Sequence, residues 1–119
     1  MTKRNVKQPA LNVLMVRPNE PAVMMEIEDS LEAMQDAVGG PIEMVKPWSE
    51  DVALICNEEG KLKNLPPNRI ITKENGSLFG VIHGTFFLVL APRNCDVFLP
   101  LPGMVADRYE RYMVPYHEQ

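Results

Sequence analysis

The side chains best suited to chemistry fall in one stretch, Asn57 to Arg69, N-E-E-G-K-L-K-N-L-P-P-N-R. It carries two amides, Asn57 and Asn68, and the guanidinium of Arg69. An amide donates and accepts hydrogen bonds at once, and a guanidinium offers a planar fork of N–H donors that matches a carboxylate or a phosphate. Together these groups could bind a small anionic ligand or a nucleotide. Pro66 and Pro67 restrict the backbone that leads to Arg69, because each ring fixes φ. The structural alternative for Arg69 is an ion pair with the acidic middle of the chain, at Glu58 or Glu59.

Catalysis finds less support. A nucleophile needs a base and an orienting group within reach. Ser30, Ser49 and Ser77 each stand in a cap or turn context, and no G-x-S-x-G, P-loop or G-x-G-x-x-G occurs. An enzyme would have to use His83 with carboxylates drawn from distant parts of the chain. The structural alternative for His83 is a lone residue in a strand beside Gly84. Cys56, Cys95, His83 and His117 show no paired spacing of the kind zinc requires, so neither a metal nor a cofactor is expected. Both cysteines are expected to be reduced, with Cys56 a small core residue.

A third set is aromatic. Trp48 lies in a connection, P-W-S-E-D, and is either a lid over the core edge or an exposed contact residue. Val105, Tyr109 and Tyr112 recur at i, i+4, i+7 near the C-terminus. That stripe either docks on the core or meets a partner, and it admits a homodimer. Asp107 and Arg111 stand at ion-pair spacing on the same segment.

These groups need elements to hold them. L-N-V-L-M-V (Leu11 to Val16) and A-V-M-M-E-I (Ala22 to Ile27) read as two strands joined by the turn R-P-N-E-P. A helix follows, with Asp29 as N-cap, Glu32 completing a capping box, and Leu31, Met34 and Val38 as its apolar stripe. Gly39-Gly40-Pro41 stops it. Ile42 to Lys46 alternates as a short strand. Val52 to Cys56 does not alternate, so both its faces should be buried. Asn57 to Gly60 reads as a turn, with Gly60 at positive φ and Lys61-Leu62 opening a return strand. Pro66 and Pro67 do not suit a central ladder. Asn75-Gly76 between apolar pairs is a hairpin signal. T-F-F-L-V-L (Thr85 to Leu90) is the most β-prone run and should be the central strand. A C-terminal helix near Met104 to Met113 follows L-P-L-P-G.

The expected fold is α+β: a mostly antiparallel or mixed sheet of five to seven strands, one packed helix and a C-terminal helix. The opening β-β-α-β order is compatible with a β-grasp-like arrangement. Residues 1–9 should form a flexible basic tail and residues 10–119 a single domain, in keeping with a length of 119 residues.

The net charge of −4 is unevenly spread. Residues 1–17 hold four bases and no acid, residues 18–60 hold eleven acids against Lys46 alone, and residues 61–119 hold seven bases against five acids. Direct nucleic-acid binding needs clustered bases, which the middle of the chain lacks. No apolar run approaches a bilayer span, and no signal peptide is legible, so the expected location is cytoplasmic and off the membrane.

L-I-C-N-E-E-G-K-x-x-x-L-P-x-N-R (Leu54 to Arg69), followed by G-T-F-F-L-V-L (Gly84 to Leu90), resembles a domain of unknown function found in small bacterial, phage and plasmid proteins. The segment Glu26 to Glu43 matches in order, so the resemblance spans about Leu11 to Leu90. The N-terminal basic tail and F-L-P-L-P-G (Phe98 to Gly103) depart from the pattern. The resemblance implies a setting, accessory proteins of mobile elements, and no catalytic residues. The function expected first is a non-enzymatic module that binds a host protein or itself. Its acidic segment would form the contact surface, and Trp48, Tyr109 and Tyr112 the anchors. The alternatives are the anionic-ligand site at Asn57, Asn68 and Arg69, and an enzyme built on His83.

Overall fold

In the computed structural model, which describes residues 9–117, the elements follow one another as β1 (Ala10–Val16), β2 (Val23–Glu28), α1 (Leu31–Val38), β3 (Ile42–Val45), β4 (Val52–Asn57), β5 (Pro67–Thr72), β6 (Leu78–His83), β7 (Phe86–Leu90), α2 (Gly103–Tyr109), a 3-10 turn (Glu110–Tyr112) and β8 (Met113–Pro115). The fold class is α+β, as the sequence implied. The basic tail falls outside the described residues except for Pro9, whose carbonyl accepts the Asp29 N–H at 2.8 Å.

The expected antiparallel sheet forms with five strands, and a second, smaller sheet accompanies it. Eight strands divide between a five-stranded sheet, β2-β1-β7-β4-β3, and a three-stranded sheet, β6-β5-β8. Every pairing is antiparallel, so neither a mixed sheet nor a β-grasp-like parallel pair forms. The division occurs at Gly84, between β6 and β7. Gly84 holds φ +82, a left-handed conformation that costs glycine little, and the chain leaves one sheet for the other there. A Cβ at that position would stand 2.7 Å from Leu65 Cδ1.

The inner strands β4 and β7 of the larger sheet are buried on both faces. Leu54 and Cys56 of β4, with Phe86 and Leu88 of β7, face the smaller sheet and α2. Ala53 and Ile55, with Phe87 and Val89, face α1. Alternate residues of both strands therefore enter different apolar clusters, which is why neither strand shows an apolar/polar period. β7 occupies the middle of the sheet, as its composition predicted.

Local signals hold with shifts. Helix α1 is capped by Ser30, not Asp29: Ser30 Oγ accepts the Ala33 N–H at 3.1 Å. Asp29 is already committed through its N–H to Pro9 at the end of the strand. With the cap one residue later, Glu32 no longer sits at the capping-box position. Met34 and Val38 are buried, but Leu31 is 59% exposed and leaves the predicted stripe. Gly39, at φ +83, ends the helix as expected.

The turn after β4 also differs. Asn64, at φ 56, supplies the left-handed residue, and Gly60 does not. Gly60 is needed for close approach, since a Cβ there would lie 2.8 Å from the His83 carbonyl oxygen. Lys61 and Leu62 belong to this turn, not to a strand. Pro67 does enter the central strand of the smaller sheet, at its first residue, where a missing N–H disrupts least. The Asn75-Gly76 hairpin forms between β5 and β6, with Gly76 at φ +88. The C-terminal helix stops at Tyr109, and Met113 enters β8.

Candidate functional site

Asn68 and Arg69 are adjacent in β5, and alternation would send one of them to solvent. Both are buried, at 2% and 6% exposure. The pairing with β6 explains this. Pro67 stands opposite His83 and Arg69 opposite Ile82, so the register slips at Asn68. Such a bulge bends the strand and re-aims a side chain. Here it brings two consecutive polar side chains to the inner side.

Asn68 then joins the two sheets. Its Nδ2 donates to the carbonyls of Val16 and Gly84, each at 2.9 Å, and its Oδ1 accepts from Arg69 Nη1 at 2.7 Å. Its own carbonyl accepts the Tyr116 N–H at 3.2 Å. Arg69 Nη1 also reaches the Asn68 carbonyl at 3.3 Å, and Nη2 donates to the Glu20 carbonyl at 2.6 Å. All of these acceptors are neutral. Among the described residues Nε has no acceptor, and no carboxylate lies within 4.0 Å of the guanidinium. The expected pairing with Glu58 or Glu59 does not occur: Glu59 pairs with Lys63 at 3.1 Å. Burial pulls the Arg69 pKa down, and the more distant charge of Glu110 opposes that. An arginine still keeps its proton under such conditions.

Arg69 and Asn68 line a cleft of about 390 Å³. Glu20 and Pro21, from the turn after β1, form one side. Pro115, Tyr116 and His117 form the other. Pro115 is held opposite Arg69 by the β5–β8 pairing. A cleft of this size falls in the range of small-molecule sites.

Asn57 does not join this cleft. At the end of β4, its Nδ2 donates to the Val38 carbonyl at 3.2 Å, closing the end of α1, and its Oδ1 accepts the Glu59 N–H at 2.7 Å. It lines a second cleft, of about 130 Å³, with Cys56, His83 and Glu43. The three candidates Asn57, Asn68 and Arg69 thus separate into two places. In the second cleft His83 Nδ1 bonds the Leu65 carbonyl at 3.0 Å and no carboxylate. The Cys56 thiol is pushed up to about 11, first by burial and then by the charge of Glu43. It stays protonated near neutral pH and is a poor nucleophile. Among the described residues no group of three or more His, Cys, Asp or Glu side chains could hold a metal ion.

The aromatic set assembles inside the molecule. Trp48 and Tyr109 are buried, and Tyr112 is half-buried. The Trp48 and Tyr109 ring centroids are 4.9 Å apart, edge to face, and Tyr112 packs within 5.9 Å of Trp48 and 5.8 Å of Tyr109. Trp48 Nε1 donates to the Thr72 carbonyl at 2.9 Å, and Tyr109 OH bonds Glu50. Burial first, then that bond, raises the Tyr109 pKa. The predicted Asp107–Arg111 ion pair does not form: Arg111 stands over the Tyr112 ring, 5.5 Å from its centroid.

Tyr116, His117 and Pro21 escaped sequence reasoning as cleft residues. Nothing in their spacing relates them to Arg69, and only the β5–β8 pairing and the turn after β1 bring them there.

The chain belongs to the family described as Domain of unknown function (DUF3846), whose model matches residues 11–113. The match runs past the stretch whose residues carried the resemblance and takes in F-L-P-L-P-G and α2. No curated protein matches, and no solved structure matches.

Proposed function

We propose that this member of the family is a binding module that takes a small anionic ligand in the cleft floored by Arg69. One observation carries the reading: Arg69 is 6% exposed, and among the described residues no carboxylate lies within 4.0 Å of its guanidinium and its Nε–H meets no acceptor, beside an open cleft. A buried charge without a counter-ion is costly, and an anion entering the cleft would offset that cost through charge-assisted bonds.

The test is thermal unfolding against a panel of anions, including inorganic phosphate, citrate and benzoate. At about one hundred times its Kd a ligand should add about 2.7 kcal/mol to stability. Arg69→Met, with its own cooperative melt as proof of folding, should lose that response. Equal responses from both proteins would reject the site.

A second reading keeps the protein-interaction role, and the open edge of β6 favours it. Among the described residues β2 and β3 are guarded by glutamates, and β8 is three residues long and ends at Pro115. β6 carries no carboxylate, lysine, arginine or proline, and its Leu78, Phe79 and Val81 are exposed. An edge of that kind accepts another strand. On this reading the protein is a small accessory protein of a phage, plasmid or other mobile element, and it pairs with a host protein or a second copy. No described helix is long and apolar enough to cross a membrane. Light scattering over a concentration series should show a dimer that Val81→Lys reduces to a monomer. A wild-type monomer at every concentration would remove the second-copy form of this reading.

A further inference from the structure

We infer that the Arg69 cleft selects a flat ring bearing an anionic oxyacid group, rather than a bare anion. This rests on the proposal that the cleft binds anions and adds the class of ligand. The floor and the sides of the cleft differ in chemistry. At the floor, Asn68 spends both amide N–H groups on Val16 and Gly84, so Arg69 is the donor left for a ligand. The sides bring Tyr116, Pro21 and Pro115, which present an aromatic ring and two saturated rings, with the His117 imidazole, the Asn19 amide and the exposed Glu20 carboxylate beside them. Aromatic and proline rings offer flat apolar area and no charge of their own, and an aromatic face stacks on another ring. Tyr116 is half-buried and held by its backbone N–H to Asn68, so its position does not depend on its hydroxyl. A bare phosphate would fill only a small part of 390 Å³ and leave the rings in water. A ring of one or two cycles carrying a carboxylate or phosphate would use both the fork and the walls.

Carboxylate and phosphate present the same acceptor geometry to the guanidinium, so the experiment carries both. The full chain is titrated with acetate, benzoate, inorganic phosphate, phenyl phosphate and benzamide. The readout is the Arg69 Nε–H signal by NMR, with isothermal titration for affinity. Benzoate should bind roughly tenfold more tightly than acetate, and phenyl phosphate roughly tenfold more tightly than phosphate, the size expected of one good aromatic contact. Benzamide should leave the Arg69 signal in place. Tyr116→Ala should erase the tenfold ring advantage and keep the weak binding of acetate and phosphate. Arg69→Met should remove binding of all four anions. If the bare anions bind as tightly as their ring-bearing partners, the ring selection is wrong and the anion site stands. If no anion moves the Arg69 signal, both are wrong. Benzamide binding as tightly as benzoate would also overturn the proposal, because the cleft would then read the ring without the charge.

Discussion

Asn68→Leu should destabilise the protein by about 3–5 kcal/mol, because the substitution leaves buried polar groups without partners on both sides of a sheet junction. Asn68 supplies the donors to the carbonyls of Val16 and Gly84 and an acceptor to Arg69. Each buried group left unsatisfied costs about 1–3 kcal/mol, and a charged one costs more. Val16 ends β1 in the larger sheet, and Gly84 is the corner between the sheets, so the loss falls where the two layers are joined. Urea unfolding measures it directly, and Tm should fall by more than about 10 °C. Asn68→Asp separates the contributions. Its carboxylate would pair with Arg69 but could not donate to Val16 or Gly84. It should therefore remain well below wild type. A loss under about 1 kcal/mol in the leucine variant would show that water replaces Asn68 without strain and that the residue is no junction.

Trp48→Ala should cost a comparable amount, about 3–5 kcal/mol, by opening a cavity in the aromatic cluster. Trp48 is 4% exposed, packs on Tyr109 and Tyr112, and donates to Thr72. Trp48→Phe keeps an aromatic ring and loses the indole N–H, which should cost about 0.5–1.5 kcal/mol for the bond itself. The gap between the two variants measures the packing. An anchor residue exposed for a partner would behave differently: Trp48→Ala would leave stability within about 0.5 kcal/mol of wild type, as surface changes do. The cluster also bears on the proposed site. Tyr109 and Tyr112 fix α2 and the 3-10 turn, and β8 follows directly to set Pro115 and Tyr116 beside Arg69. Trp48→Ala should therefore weaken anion binding as well as the fold, although Trp48 is absent from the cleft.

Much of the architecture was legible because its causes are local. Asn75-Gly76 fixes a hairpin through the left-handed backbone that glycine permits. Gly39 ends α1 for the same reason. The unbroken apolar runs of β4 and β7 require cover on both faces, and they have it. The errors were also physical. Asp29 and Ser30 are both good caps, and Ser30 takes the role. Gly60 was read as a conformational glycine, but its reason is the carbonyl of His83, which belongs to another strand. Gly84 stood in the sequence only as the neighbour of His83, and nothing near it indicated that the chain would change sheets there.

The candidate site shows the same boundary. Arg69 stood out by residue type and by the prolines before it, and the structure places it in a cleft of about 390 Å³. Its partners were misassigned. Asn57, twelve positions earlier in the chain, went to the end of α1, and the acids at Glu58 and Glu59 stayed in the turn. By itself the sequence determined the β5–β6 hairpin, the end of α1 and the buried strands β4 and β7, because turns, caps and apolar runs are written in neighbouring residues. Tertiary structure decided the site. The bulge at Asn68, the absence of any described carboxylate within 4.0 Å of Arg69 and the closing of the cleft by Pro115 and Tyr116 depend on strand pairings between distant segments. Those pairings set which charges meet, and no local preference encodes them.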